Sequence, residues 1–106
     1  MKIDIHKQAF ALANKTGGVS GPAIKPIALR MVYQAANAVK VPVIGMGGIA
    51  TYEDAIGFIL AGAAAVSVGT ANFFNPAATV EIVEGIERYM EKYHFQNISE
   101  MVGLVK

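Results

Sequence analysis

Residues 41–71, VPVIGMGGIATYEDAIGFILAGAAAVSVGTA, hold two apolar strand-like runs, each ending in a glycine turn, with one helix length between them. Few folds accept that order. VPVIGM is a β-branched run suited to a parallel strand buried on both faces. Gly47 and Gly48 follow it, where a side chain would obstruct an incoming phosphate. Thr51 and Asp54 stand at capping-box spacing and predict a helix running to about Ala61, stopped at Gly62. Ala64 to Val68 is the next strand. Gly69 and Thr70 then open a short segment, Ala71 to Phe74, whose free N–H groups would face an anion. The fold class this implies is α/β. In (β/α)8 barrels the loops after strands seven and eight, with a short extra helix, commonly hold a phosphate. Glycine turns also occur in α/β units that bind nothing; the pairing of two across one βα unit favours the anion.

The flanking segments supply covering elements. Lys2 to Ile5 and Ala9 to Ala13 read as strands of an antiparallel hairpin turning at His6 to Gln8. NKTGGVSGPAIKP is a loop by composition. A helix entered at Pro26 puts Ala28, Met31, Val32, Ala35 and Val39 on a face expected to cover the sheet, and Pro42 limits it. A last long helix, from about Ala77 to Tyr93, aligns Val80, Val83, Ile86 and Met90 and places Glu84 one turn from Arg88. A short helical turn is expected after Ser99.

A complete eight-stranded barrel needs roughly 250 residues, and this chain has 106. Only two barrel strands are visible, and standing alone they would present unpaired edges to water. A hydrophobic fraction of 54% is high for a chain that can bury only part of its surface. The expectation is one segment, residues 1–106, of a larger barrel, prone to homo-oligomerise.

A net charge of +1, from nine basic and eight acidic side chains spread along the chain, gives no footprint for nucleic acid. Without cysteine there is no disulfide, thiolate metal site or cysteine nucleophile, which suits a cytoplasmic setting. MKIDIHKQAF lacks the apolar core of a signal peptide. The uncharged run from Ala55 to Val80 is long enough to span a membrane. Its glycines at 57, 62 and 69, with Asn72, Asn75 and Pro76, read instead as a helix followed by a strand.

LANKTGGVSGPAIKPIALRMVYQ, followed by VPVIGMGGI, the TYEDAIGFILAGA helix and VSVGTANFFNP, resembles the C-terminal part of dihydroorotate dehydrogenase over nearly the whole chain. Within that family TGGVSGPAIKPIALRMVYQ is similar to the class 1 B-type catalytic subunit, whereas GMGGI and VGT occur in many FMN barrels. The resemblance implies the C-terminal part of a TIM barrel, with two barrel strands, covering helices and an N-terminal hairpin. It also implies FMN as cofactor, oxidation of dihydroorotate to orotate, and a partner subunit carrying FAD and an iron–sulfur cluster that passes electrons to NAD. By the same resemblance Gly21 approaches the flavin, Gly47 and Gly48 match the glycine pair at the FMN phosphate, and Gly69 and Thr70 match the pair on its other side. Met46 is expected near the flavin as core packing.

The family's proton-abstracting cysteine, its active-site lysine and the asparagines that hold orotate belong to earlier strands, so catalytic residues are expected to be none here. A phosphate- or flavin-binding module without catalysis, or a self-associating partial barrel, stays open beside the enzyme reading. His6 and His94 read as surface residues, Lys15 and Lys25 as solvated lysines, and Glu53 and Asp54 as helix-capping groups. Tyr89 and Tyr93 share a helix face and are expected to pack together.

Overall fold

The computed structural model describes all of residues 1–106. Strands β1 (Ile3–Asp4) and β2 (Ala9–Phe10) form the antiparallel hairpin, shorter than its sequence suggests. A 3-10 turn at Pro22–Ile24 leads directly into α1 (Lys25–Ala38). Then come β3 (Ile44–Met46), α2 (Tyr52–Leu60), β4 (Ala65–Ser67), α3 (Ala71–Phe74), α4 (Ala78–Tyr93) and a closing 3-10 turn at Ile98–Glu100. Strands β3 and β4 pair in parallel, Ile44 opposite Ala65 and Met46 opposite Ser67, so the expected βα unit is present.

Local chemistry explains where α2 begins. Thr51 accepts from the Asp54 amide at 3.4 Å, and the Asp54 carboxylate accepts from the Thr51 amide at 3.1 Å, completing the capping box. Burial opposes ionisation of Asp54, but the hydrogen bonds from Lys25 and from the Ala50 and Thr51 amides outweigh it and hold its carboxyl below the usual range. A depressed native pKa stabilises the fold above the unfolded value, and that contribution is lost as pH falls through the native one.

The core gathers Val32 of α1, Ala55 and Phe58 of α2 and Ile82 of α4 with Ile49 and Ala63 from the loops beside β3 and β4. A second cluster joins Ile56 and Ile59 to Met101, which is fully buried. The tail is tied to α2 by the Gly103 amide on the Ile59 carbonyl and the Val105 amide on the Leu60 carbonyl, both 3.1 Å. Helices α2 and α4 cross at Gly85, where a β-carbon would overlap the Cβ and Cγ of Tyr52. Gly85→Ala is expected to destabilise the chain by about 1–3 kcal/mol through overpacking, read as a lowered urea midpoint at unchanged slope.

The chain is a slab, 57 × 33 × 17 Å, with a radius of gyration of 16.6 Å; a folded domain of this length is typically about 13 Å. Its accessible surface is 7594 Å², against roughly 5,700 Å² for a folded monomer of this mass. Part of the excess comes from the hairpin and the loop after it, exposed almost throughout residues 1–20, and part from apolar faces that periodicity assigns to the core. In α1, Val32 is buried and Ala28, Leu29 and Ala36 are half-buried, while Met31, Ala35 and Val39 are exposed. In α4, Ala78, Ile82 and Gly85 are buried and Ile86 and Met90 half-buried, but Val80 and Val83 face outward. Strand β3 is not buried on both faces: Gly45 is, whereas Ile44 and Met46 are 59% and 60% exposed. The Glu84–Arg88 pair forms at 3.9 Å between exposed side chains, where such pairs contribute little. Tyr89 and Tyr93 pack ring on ring at 4.4 Å, as their spacing suggests.

Candidate functional site

The C-terminal ends of β3 and β4 and the loop before α1 enclose a cavity of about 670 Å³. Gly21, Gly47, Gly48, Gly69 and Thr70 all line it, so the five sequence-derived positions converge on one place. The local causes fall into two kinds. Gly47 and Gly48 take φ of +118° and +73°, a region where a side chain is strained, and let the chain turn sharply out of β3. At Gly48 a β-carbon would come within 2.8 Å of the Gly21 carbonyl oxygen and 3.0 Å of the Lys25 amide nitrogen. The loop and the turn are therefore in direct backbone contact. Gly69 and Gly21 differ, since the space where their side chains would begin is open. That is the cradle a ligand group needs.

The polar inventory is unusual for its lack of charge. No lysine, arginine, histidine, aspartate or glutamate lines the cavity; its side-chain polar groups are those of Ser20, Ser67, Thr70 and Asn72. Thr70 starts α3 in helical conformation and its side chain makes no capping hydrogen bond, leaving the hydroxyl uncommitted. The N–H groups of Gly48, Ile49, Gly69 and Thr70 donate to no backbone carbonyl and to no side-chain acceptor. Ile49 is only 3% exposed, and orphaned N–H groups in buried residues are rare in native proteins. Four free donors from two strand ends, with no carboxylate between them, suit an anion of several acceptor oxygens. A second cavity of about 160 Å³ adjoins the first, sharing Gly48, Ile49 and Thr70.

Three contributors escaped the sequence reading. Asn72 donates through Nδ2 to the Val68 and Gly69 carbonyls at 3.0 and 3.1 Å, bracing the second turn; its position three and four residues after them is the only signal. Ile49 adds a buried amide that no side-chain pattern marks. Lys25, expected in solvent, instead pairs with Asp54, its side chain 39% exposed against 11% for the aspartate. Met46 is not core filler either, because it stands 60% exposed at the cavity wall. His6 and His94 are exposed and outside the cavity, as expected. No cluster of three metal-ligating side chains exists, and no helix is long and apolar enough to cross a membrane.

A dihydroorotate dehydrogenase family profile matches residues 1–90. The catalytic subunit of dihydroorotate dehydrogenase B (NAD(+)) from Lachnoclostridium phytofermentans is 66% identical over all 106 residues, which span 35% of that protein. Its counterpart from Alkaliphilus oremlandii is 67% identical over 103 residues, 97% of this chain and 34% of the relative. Among solved structures, dihydroorotate dehydrogenase from Eimeria tenella in complex with ferulenol superposes with a TM-score of 0.78 at 28% identity, over 89% of this chain and 26% of that one. The chain thus spans about a third of the curated relatives it matches, and its two parallel strands, covering helices and glycine turns are a partial α/β barrel. By profile, by identity and by fold, the chain belongs to the dihydroorotate dehydrogenase family.

Proposed function

We propose that residues 1–106 form a single partial-barrel segment that grips the phosphate of FMN within a dihydroorotate dehydrogenase. The parent reaction would be oxidation of dihydroorotate to orotate in pyrimidine biosynthesis. A separate FAD and iron–sulfur subunit would carry electrons on to NAD, because the relatives are named as catalytic subunits of a B-type enzyme. One observation carries the reading: four uncommitted backbone amides, at Gly48, Ile49, Gly69 and Thr70, border one uncharged cavity. When bound, FMN would supply the hydride acceptor. The chain's own residues would bind and orient it, with Gly47, Gly48, Gly69 and Thr70 at the phosphate, Gly21 against the flavin side, and the Thr70 hydroxyl as an added donor. Catalytic side chains on this segment are none. Nothing titrating near neutrality lines the cavity, so the segment by itself is read as a flavin-phosphate module.

The test is a titration of the purified chain with FMN, followed by quenching of flavin fluorescence, and with inorganic phosphate, followed by amide shifts. Saturable binding is expected, with Gly48, Ile49, Gly69 and Thr70 shifting on one isotherm. Because neutral amides do the holding, FMN affinity is expected to stay flat from pH 7 to 9 and to weaken only as the phosphate itself protonates, near pH 6. The absence of saturable binding, or saturation without shifts at those four amides, would overturn the reading.

A further inference from the structure

The two halves of the cradle come from separate parts of the chain, and something must fix the gap between the Gly21 loop and the Gly48 turn. Backbone contact alone sets only a lower limit to that gap. Lys25 lies at the entrance of α1, directly after the 3-10 turn that follows Gly21. Asp54 lies in the first turn of α2, directly after the glycine turn. The Asp54 carboxylate receives the Lys25 ammonium on Oδ1 and the amides of Ala50 and Thr51 on Oδ2, at 3.0 and 3.1 Å. One mostly buried carboxylate therefore ties the exit of the Gly47–Ile49 turn to the start of α1, across 29 residues of sequence.

Lys25 is adjacent to the cradle and yet does not line it. Its charge is committed to Asp54, so the ammonium is not the anion's counter-ion. The stem still matters, because the Lys25 Cβ and amide nitrogen are the atoms a Gly48 side chain would strike, along with the Gly21 oxygen. Resting on the anion-cradle reading above, we propose that Lys25 and Asp54 are positioning residues: their ion pair latches the Gly21 loop against the Gly48 turn and so holds the free amides of Gly48 and Ile49 at the spacing an anion needs.

The latch makes a demand that a direct phosphate contact does not. If Lys25 bound the anion, neutralising Asp54 would release the ammonium and tighten binding. Under the latch, Asp54→Asn weakens binding as much as Lys25→Met, although neither residue touches the ligand. A charge-assisted hydrogen bond of ordinary strength sets the scale at roughly tenfold or more in affinity.

The experiment uses the full 15N-labelled chain as wild type, K25M, K25R and D54N, with two readouts. In the unliganded chain, the backbone 15N order parameters of Gly48 and Ile49 are expected to fall from a rigid value of about 0.85 towards about 0.6 in K25M and D54N, with the middle of α4 unchanged and K25R close to wild type. In a titration with inorganic phosphate, K25M and D54N are expected to lose affinity together, with the response at Gly48 and Ile49 weakened more than at Gly69 and Thr70. Unchanged order parameters at Gly48 and Ile49, a fall spread equally through α4, or tighter phosphate binding by D54N would each overturn the latch. If wild type ignores phosphate while the order-parameter pattern holds, the anion reading falls and the latch stands.

Discussion

Gly48→Ala is expected to abolish phosphate and FMN binding and to lower the stability of the chain by about 2–5 kcal/mol, the sum of a left-handed backbone penalty and an overpacking penalty. Both terms come from one position. The φ of +73° disfavours any β-carbon, and the space it would enter holds the Gly21 oxygen and the Lys25 amide, backbone atoms that cannot rotate away. The turn must therefore open, separating the two walls of the cradle. Gly69→Ala is the matched control, because nothing lies within 4 Å of its missing side chain. It is expected to leave the unfolding midpoint within about 0.5 kcal/mol of wild type while still weakening the anion, since the methyl group would intrude where the ligand sits. Urea melts and flavin titrations of the two variants separate the effects. A G48A chain that melts with wild type would contradict the turn geometry itself, and a G69A chain that binds FMN normally would remove Gly69 from the site.

The site was legible in the sequence because its signals are local. A β-branched run ending in two glycines, then threonine and aspartate three apart, specify strand, turn and cap from neighbouring residues alone, and Thr51 and Asp54 do form the box. What the sequence hid is non-local. The Lys25–Asp54 pair bridges 29 positions, and nothing about either residue announces the other. The Ile49 amide is invisible because backbone donors carry no residue type. Helix faces were misjudged for a different reason. Periodicity finds apolar residues without saying which neighbour they meet, and each helix of a barrel touches the sheet on one side and other helices on its flanks. Ala28 and Val32 pack into this chain's own core, whereas Met31, Val39, Val80 and Val83 stay 46–63% exposed.

That exposed surface sets the second large effect. Alone, the 106 residues are expected to oxidise no dihydroorotate, and to gain measurable turnover, with FMN and an artificial electron acceptor supplied, when mixed with the remaining two thirds of a relative such as the L. phytofermentans subunit. The cavity supplies no proton-accepting side chain, and a positioned general base is worth roughly 10²–10⁴-fold in rate. What the chain does offer is an open interface. β3 and β4 pair only with each other, leaving both outer edges unpaired, and Ile44, Met46, Met31 and Val80 stay at least 59% exposed. Bare parallel edges backed by apolar side chains seek further strands. Without that complement, the same edges are expected to pair between copies, giving assemblies that grow with concentration in sedimentation velocity. With it, self-association should decline as a one-to-one complex forms, and orotate absorbance should rise only in that complex. A chain that stays monomeric at high concentration and ignores the complementing segment would mean that these faces are satisfied by water, and that the partial barrel is a stable end state.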